Sequence, residues 1–156
     1  MRSLLATAVS NSRAADAGLF LLRAFAGLTM LQAHGLRKFP PSEQFIAGVG
    51  EMGFPAPEFF AWMASFSEVF GGTLLAIGLL TRPAAFLILC TMLVAGLIRH
   101  APDPFNVKEL AFVYAGIALL YLLYGSGRFG LDYLLFNRPG LTAQHAAAPT
   151  PGTPPV

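Results

Sequence analysis

Four long apolar runs dominate this chain: Ala17–Leu36, Glu58–Leu80, Pro83–Ile98 and Leu110–Tyr124. A helix needs roughly 17–25 predominantly apolar residues to cross the hydrocarbon of a bilayer. The first two runs have that length, and the last two reach it by drawing in flanking residues. Composition argues against a soluble alternative. The chain is 55% hydrophobic and only 12% charged, with a mean hydropathy of +0.62, whereas soluble domains are about 25% charged. Helices of a soluble bundle also show polar faces at helical period, and these runs show almost none. The expectation is an all-α polytopic membrane protein, a four-transmembrane-helix antiparallel bundle spanning residues 17–136.

The formal net charge is +2, but the ten Lys and Arg are spread singly over loops and tails. No basic cluster forms, so no nucleic-acid partner is expected, and the cations read as topology signals. Four spans put both termini on one side. That side holds Arg2, Arg13, Arg82, Arg128 and Arg138, and the other holds Arg37, Lys38, Arg99 and Lys108. The small excess predicts cytoplasmic termini. Residues 1–16 read as an N-terminal cytoplasmic segment whose Leu4–Val9 stretch is too short for a cleaved signal. Residues 137–156 read as an Ala/Pro/Thr-rich tail with too little apolar surface to fold. Cys90, inside the third run, reads as a small packing residue.

Punctuation separates the spans. Thr81-Arg82-Pro83 turns the second helix into the third, with Thr81 expected as the N-cap and the proline in the first turn. Pro102 and Pro104 stop the third helix, and Gly125-Ser126-Gly127 stops the fourth. The long first loop, Arg37 to Pro57, joins Phe59, Phe60 and Trp62 in an aromatic, proline-rich shelf. Such a shelf can anchor a span at the interface, or it can form an entry surface for a lipid or quinone.

Within the apolar runs a few polar residues stand out. Glu68 sits in the middle of the second run, where an ionised carboxylate costs roughly 2.5–3.5 kcal/mol on insertion scales unless partnered. On the first helix Arg23, Gly27, His34 and Lys38 fall within an arc of roughly 60° at about 100° per residue. On the second, Ala64, Glu68, Gly72 and Ala76 recur every four residues as a small-residue surface. Together these predict close packing of the two helices with Arg23 paired to Glu68. That pair is either a structural ion pair or a proton- or ligand-handling site. A second group, His34, Lys38, His100 and Glu109, is expected to meet at the opposite membrane level. Each has a local explanation: a snorkelling lysine, a carboxylate at a helix N-terminus, a histidine near a helix end. A site for a quinone or lipid headgroup is the alternative. No metal or haem spacing motif, phosphate loop, dinucleotide fingerprint or nucleophile elbow is present.

The order of short motifs carries a resemblance. His34-Gly35-Leu36-Arg37-Lys38 is followed by Gly53-Phe54-Pro55-Ala56-Pro57 and by Glu68-Val69-Phe70-Gly71-Gly72. Gly78-Leu79-Leu80-Thr81-Arg82, Lys108-Glu109-Leu110-Ala111 and Gly125-Ser126-Gly127-Arg128-Phe129-Gly130-Leu131-Asp132 complete the series. Over roughly Gly18 to Asp132 the chain resembles the DoxX family of small bacterial four-helix membrane proteins. It departs from the usual closing motif, with Ser126 where proline is common and Phe129-Gly130 where Tyr-Ser is common. The resemblance implies residence in the bacterial inner membrane. It also implies an accessory or anchor role in a respiratory or redox complex, without a cofactor of its own and with quinone as a possible ligand. Its polar positions carry over as His34, Lys38, Glu68, Glu109, Arg128 and Asp132. The last two are expected to pair at i, i+4 at the cytoplasmic exit of the fourth helix. Two other readings stay open: a ligand-binding membrane protein acting alone, and a scaffold that recruits a partner enzyme. Self-association is compatible with all three.

Overall fold

A computed structural model describes Ala8 and residues 12–136. The expected Ala/Pro/Thr tail at 137–156 and most of the expected segment 1–11 lie outside the described residues. The described residues form six helices: α1 (Arg13–Lys38), α2 (Glu43–Glu51), α3 (Pro57–Ile77), α4 (Thr81–Arg99), α5 (Phe105–Tyr124) and α6 (Leu131–Phe136). The four long ones, α1, α3, α4 and α5, run 26, 21, 19 and 20 residues and are apolar enough to cross a bilayer. The molecule is an all-α polytopic membrane protein.

The spans alternate in direction, so the start of α1, the α3–α4 turn and α6 share one face. Asp132 N donates to Gly78 O there at 2.8 Å. The end of α1, α2, and the α4–α5 turn share the opposite face. Inside, Met30, Leu75, Ile88, Met92, Ala118 and Tyr121 form the core. Large apolar side chains such as Leu21, Phe25, Phe59, Leu97 and Leu123 point outward. In water that pattern would be a liability; in a bilayer it is the lipid-facing surface.

Two helices lie where the sequence suggests only loop. α2 occupies the first loop, and Ser42 caps it by accepting from Phe45 N at 3.2 Å. α6 follows the stop after α5. α1 begins at Arg13, inside the segment assigned to the N-terminal tail, because Ser12 accepts from Ala15 N and starts the helix there.

α1 and α3 approach closely through small residues. A Cβ on Gly27 would fall 2.5 Å from Gly72 O and 2.6 Å from Ala76 N, so only glycine fits. Three spans also contain a π-helical turn, at Met30–Gly35, Ser67–Gly71 and Ala95–Arg99. In α1 this is visible as Leu36 N bonding back five residues to Leu31 O. The wide turn inserts one residue into the helical period. It therefore moves the buried stripe from Met30 to Gly35 instead of to His34. Gly35 packs on α3, where a Cβ would lie 3.0 Å from the Glu68 carbonyl carbon and Val69 N.

The α3–α4 turn departs from expectation in one respect. Thr81 is the first residue of α4 and Leu80, at φ 48°, occupies the N-cap position. The capping carboxylate arrives from elsewhere: Asp132 accepts from Leu80 N at 2.7 Å and from Thr81 N at 2.9 Å. A carboxylate on the first amides of a helix also sits at the positive end of its dipole. It holds a leucine in the left-handed conformation, which L-residues otherwise avoid.

Candidate functional site

A cavity of about 490 Å³ lies between α2, α3 and α4, near the face opposite the α3–α4 turn. Phe45 and Val49 of α2, Phe60 and Met63 of α3, and Leu87 and Thr91 of α4 supply much of its wall. Its lining also takes in Lys38, Ser67, Glu68, Arg99 and His100. The volume falls within the roughly 300–1,000 Å³ of small-molecule sites, and such sites are mostly apolar with a few placed polar groups. A second, more open hollow of about 570 Å³ along Ala56–Phe59 and Trp62 lies on the surface and contains no buried polar group.

The polar end is built around Glu68, which is 1% exposed. Its Oε1 receives Lys38 Nζ at 2.6 Å. Lys38 is the last residue of α1, and its backbone is tied to α3 where Ser65 Oγ donates to Lys38 O at 2.8 Å. Its side chain remains 35% exposed, and its ammonium lies 5.5 Å from the Phe45 ring centre. Glu68 Oε2 and Ser67 Oγ are buried and make no hydrogen bond among the described residues. Both belong to the π-helical turn of α3, a deformation that recurs at functional sites. The arrangement leaves a paired, buried carboxylate with one oxygen unused, at the end of an apolar hollow.

Arg23 does not pair with Glu68. It is fully buried, and its Nη1 donates to Leu75 O at 2.7 Å and Ala76 O at 3.0 Å, while Nη2 reaches Phe129 O at 3.4 Å. The Leu75 and Ala76 carbonyls end α3, the negative end of its dipole. They lie seven and eight residues from Glu68, roughly 11–12 Å along the helix, beyond arginine's reach. A shared helical face gave the angle of these residues but not their depth. Glycine occupies position 78 because φ there is +72° and the Arg23 guanidinium fills the place of a Cβ.

The expected quartet of His34, Lys38, His100 and Glu109 divides. Lys38 and His100 line the cavity, where His100 Nδ1 also contacts Asp103 Oδ2 at 2.7 Å. His34 packs edge-on against Tyr114 at 5.7 Å, because the π turn of α1 rotates it off the α3-facing stripe. Glu109 is exposed on the first turns of α5. The expected pair of Arg128 and Asp132 is also absent: Asp132 caps α4, and Arg128 Nε instead bonds Asp16 Oδ2 at 3.0 Å. Asp16 also accepts from Tyr124 OH at 3.0 Å. Cys90 is exposed and lines the cavity, contrary to the reading of it as a packing residue.

Some site residues escaped sequence reasoning. Ser67 was masked by its neighbour Glu68. Phe45 and Val49 lie in the stretch that reads as the first loop, although Ser42 followed by Glu43 and apolar residues four apart is a helix-start signal. Asp16 and Tyr124 stood at helix ends with no motif to connect them.

Fold and site together define a class: a small four-span membrane protein with an apolar cavity ending in a buried carboxylate–ammonium pair. The DoxX family model matches residues 18–101. The chain is 30% identical to "Putative oxidoreductase CatD" of Bacillus subtilis over 78% of its own length and 90% of that protein. It is 34% identical to an uncharacterized membrane protein of Mycobacterium tuberculosis over 75% of this chain and 80% of the relative. With an uncharacterized protein of Haemophilus influenzae the identity is 31%, over 70% and 84% of the two chains. No solved structure matches the chain at a significant level. The protein belongs to the DoxX family. The matched region ends after the third span, so α1 to α4, which supply the cavity, fall almost wholly inside it.

Proposed function

We propose that this protein is an integral-membrane accessory subunit of a quinone-linked redox complex in the bacterial inner membrane. It holds the ring of a quinone-class ligand in the α2–α3–α4 cavity and carries no cofactor of its own. The observation that carries the reading is the Lys38–Glu68 pair at the polar end of that cavity. An apolar hollow inside the membrane suits an isoprenoid or alkyl chain, and an ion pair at its end suits a polar ring. The oxidoreductase name of the Bacillus relative supports the redox half of the reading. With both termini cytoplasmic, the cavity opens in the outer half of the bilayer and Glu68, midway along α3, lies at its deep end. The shelf aromatics Phe54, Phe59 and Phe60 line the same cavity and suit an entry route.

One observation favours a second reading. The chain's own α1 end, α2, α3 and α4 supply this lining, which suits a ligand-binding protein acting alone. Purification from the native membrane in mild detergent, with mass spectrometry of co-eluting proteins and lipids, separates the two. A stoichiometric redox subunit together with bound quinone is the expected result. Bound quinone without a protein partner transfers the case to the second reading, and neither quinone nor partner overturns both.

A further inference from the structure

We infer that the cavity discriminates redox states, taking the hydroxyl-bearing hydroquinone in preference to the quinone. The inference rests on the quinone-class reading above and specifies what the polar end recognises. Glu68 is ion-paired and therefore carboxylate, so it can only accept hydrogen bonds. Lys38 occupies Oε1, and Oε2 has no donor among the described residues. Oε2 and Ser67 Oγ are both buried, so a ligand hydroxyl reaches them only when a side chain at this end of the cavity shifts. A buried acceptor left without a partner is costly, and more so when charged. The group that completes this site is thus a donor.

The kind of donor is narrowed by charge and surroundings. Lys38 already neutralises Glu68, so a cationic head would place a second positive charge beside the ammonium. A neutral hydroxyl supplies the missing hydrogen bond without that repulsion. Ser67 Oγ, also without a hydrogen bond among the described residues, can donate to the same hydroxyl oxygen. A quinone carbonyl can accept from the remaining N–H groups of Lys38 or from Ser67 Oγ, but as an acceptor only it still leaves Oε2 without a donor. Lys38, whose side chain is 35% exposed, is the group whose movement would open the approach to Oε2. Aromatic and aliphatic walls from Phe45, Phe60, Met63 and Leu87 accept the ring and the first part of its chain.

The test uses the full chain in lipid nanodiscs under anaerobic conditions. Three probes share one decyl chain and one fully substituted ring: the benzoquinone, its hydroquinone, and the hydroquinone dimethyl ether. Affinity is read by calorimetric titration. It is read independently by protection of Cys90, the sole cysteine and a cavity residue, from N-ethylmaleimide. The hydroquinone is expected to bind at least about tenfold more tightly than the quinone or the ether, equivalent to about 1.4 kcal/mol. Glu68→Gln is expected to reduce that ratio toward unity, but the comparison on the wild-type chain decides the matter without it. Equal affinity for the three probes, or tighter binding of the quinone, overturns the inference and leaves a quinone-class site standing. No binding of any probe overturns the quinone-class reading itself.

Discussion

At the scale of single residues, Glu68 is the costly feature and Lys38 is what makes it tolerable. An exposed ion pair contributes about 0–1 kcal/mol, whereas stranding one member of a buried pair costs about 3–5 kcal/mol. With Glu68 1% exposed and Lys38 partly exposed, the loss of Lys38 lies between these and nearer the second. Lys38→Met is therefore expected to lower accumulation in the membrane, and Glu68→Gln in the same chain to restore much of it. Wild-type levels for Lys38→Met alone would sink the pairing. A double-mutant cycle on thermal stability should give a coupling above about 1 kcal/mol for Lys38 with Glu68. For Arg23 with Glu68 it should give additivity within about 0.5 kcal/mol. Sequence alone marks Arg23, Lys38 and Glu68 as interior but joins the wrong two. Composition and helical angle mark a polar residue as interior, but depth along a span depends on how far neighbouring helices are offset. Here α1 begins about ten residues beyond the level at which α3 ends, which puts Arg23 beside Ala76.

At the scale of elements, the four spans were legible because length and hydropathy define them without tertiary information. The π turns were not, since no residue type marks them, and they account for the misplacement of His34. α2 and α6 were missed because Gly and Pro around them read as loop. The α1–α3 seam gives a contrast within one residue type. Gly27→Ala is expected to force the helices apart and lower the thermal midpoint, because its Cβ would overlap Gly72 O and Ala76. Gly116→Ala, with nothing within 4 Å of its Cβ, should be neutral or stabilising by about 0.5–1 kcal/mol through helix propensity. Equal midpoints for the two variants in detergent would show that the seam is looser than described.

At the scale of the whole molecule, the two ends of the bundle are built differently. One end is locked by polar contacts that reach across the chain. Arg23 holds the α3 carbonyls and Phe129 O, Asp16 holds Arg128 and Tyr124, and Asp132 caps α4. The other end holds the cavity, with a partly exposed lysine over its carboxylate. Asp132→Asn should therefore raise hydrogen exchange at residues 78–84 and 125–136 while leaving ligand affinity unchanged; uniform protection in both segments would remove Asp132 from the lock. The ligand's place between α2, α3 and α4 is tested directly by a photoreactive azido-benzoquinone with a decyl chain in native membranes. The adducts are predicted on cavity residues such as Phe45, Met63, Thr91 and Val94, and excess hydroquinone should suppress them. Adducts spread over the lipid-facing residues of α1 and α5, such as Phe25 and Leu123, and insensitive to competitor, would contradict the account.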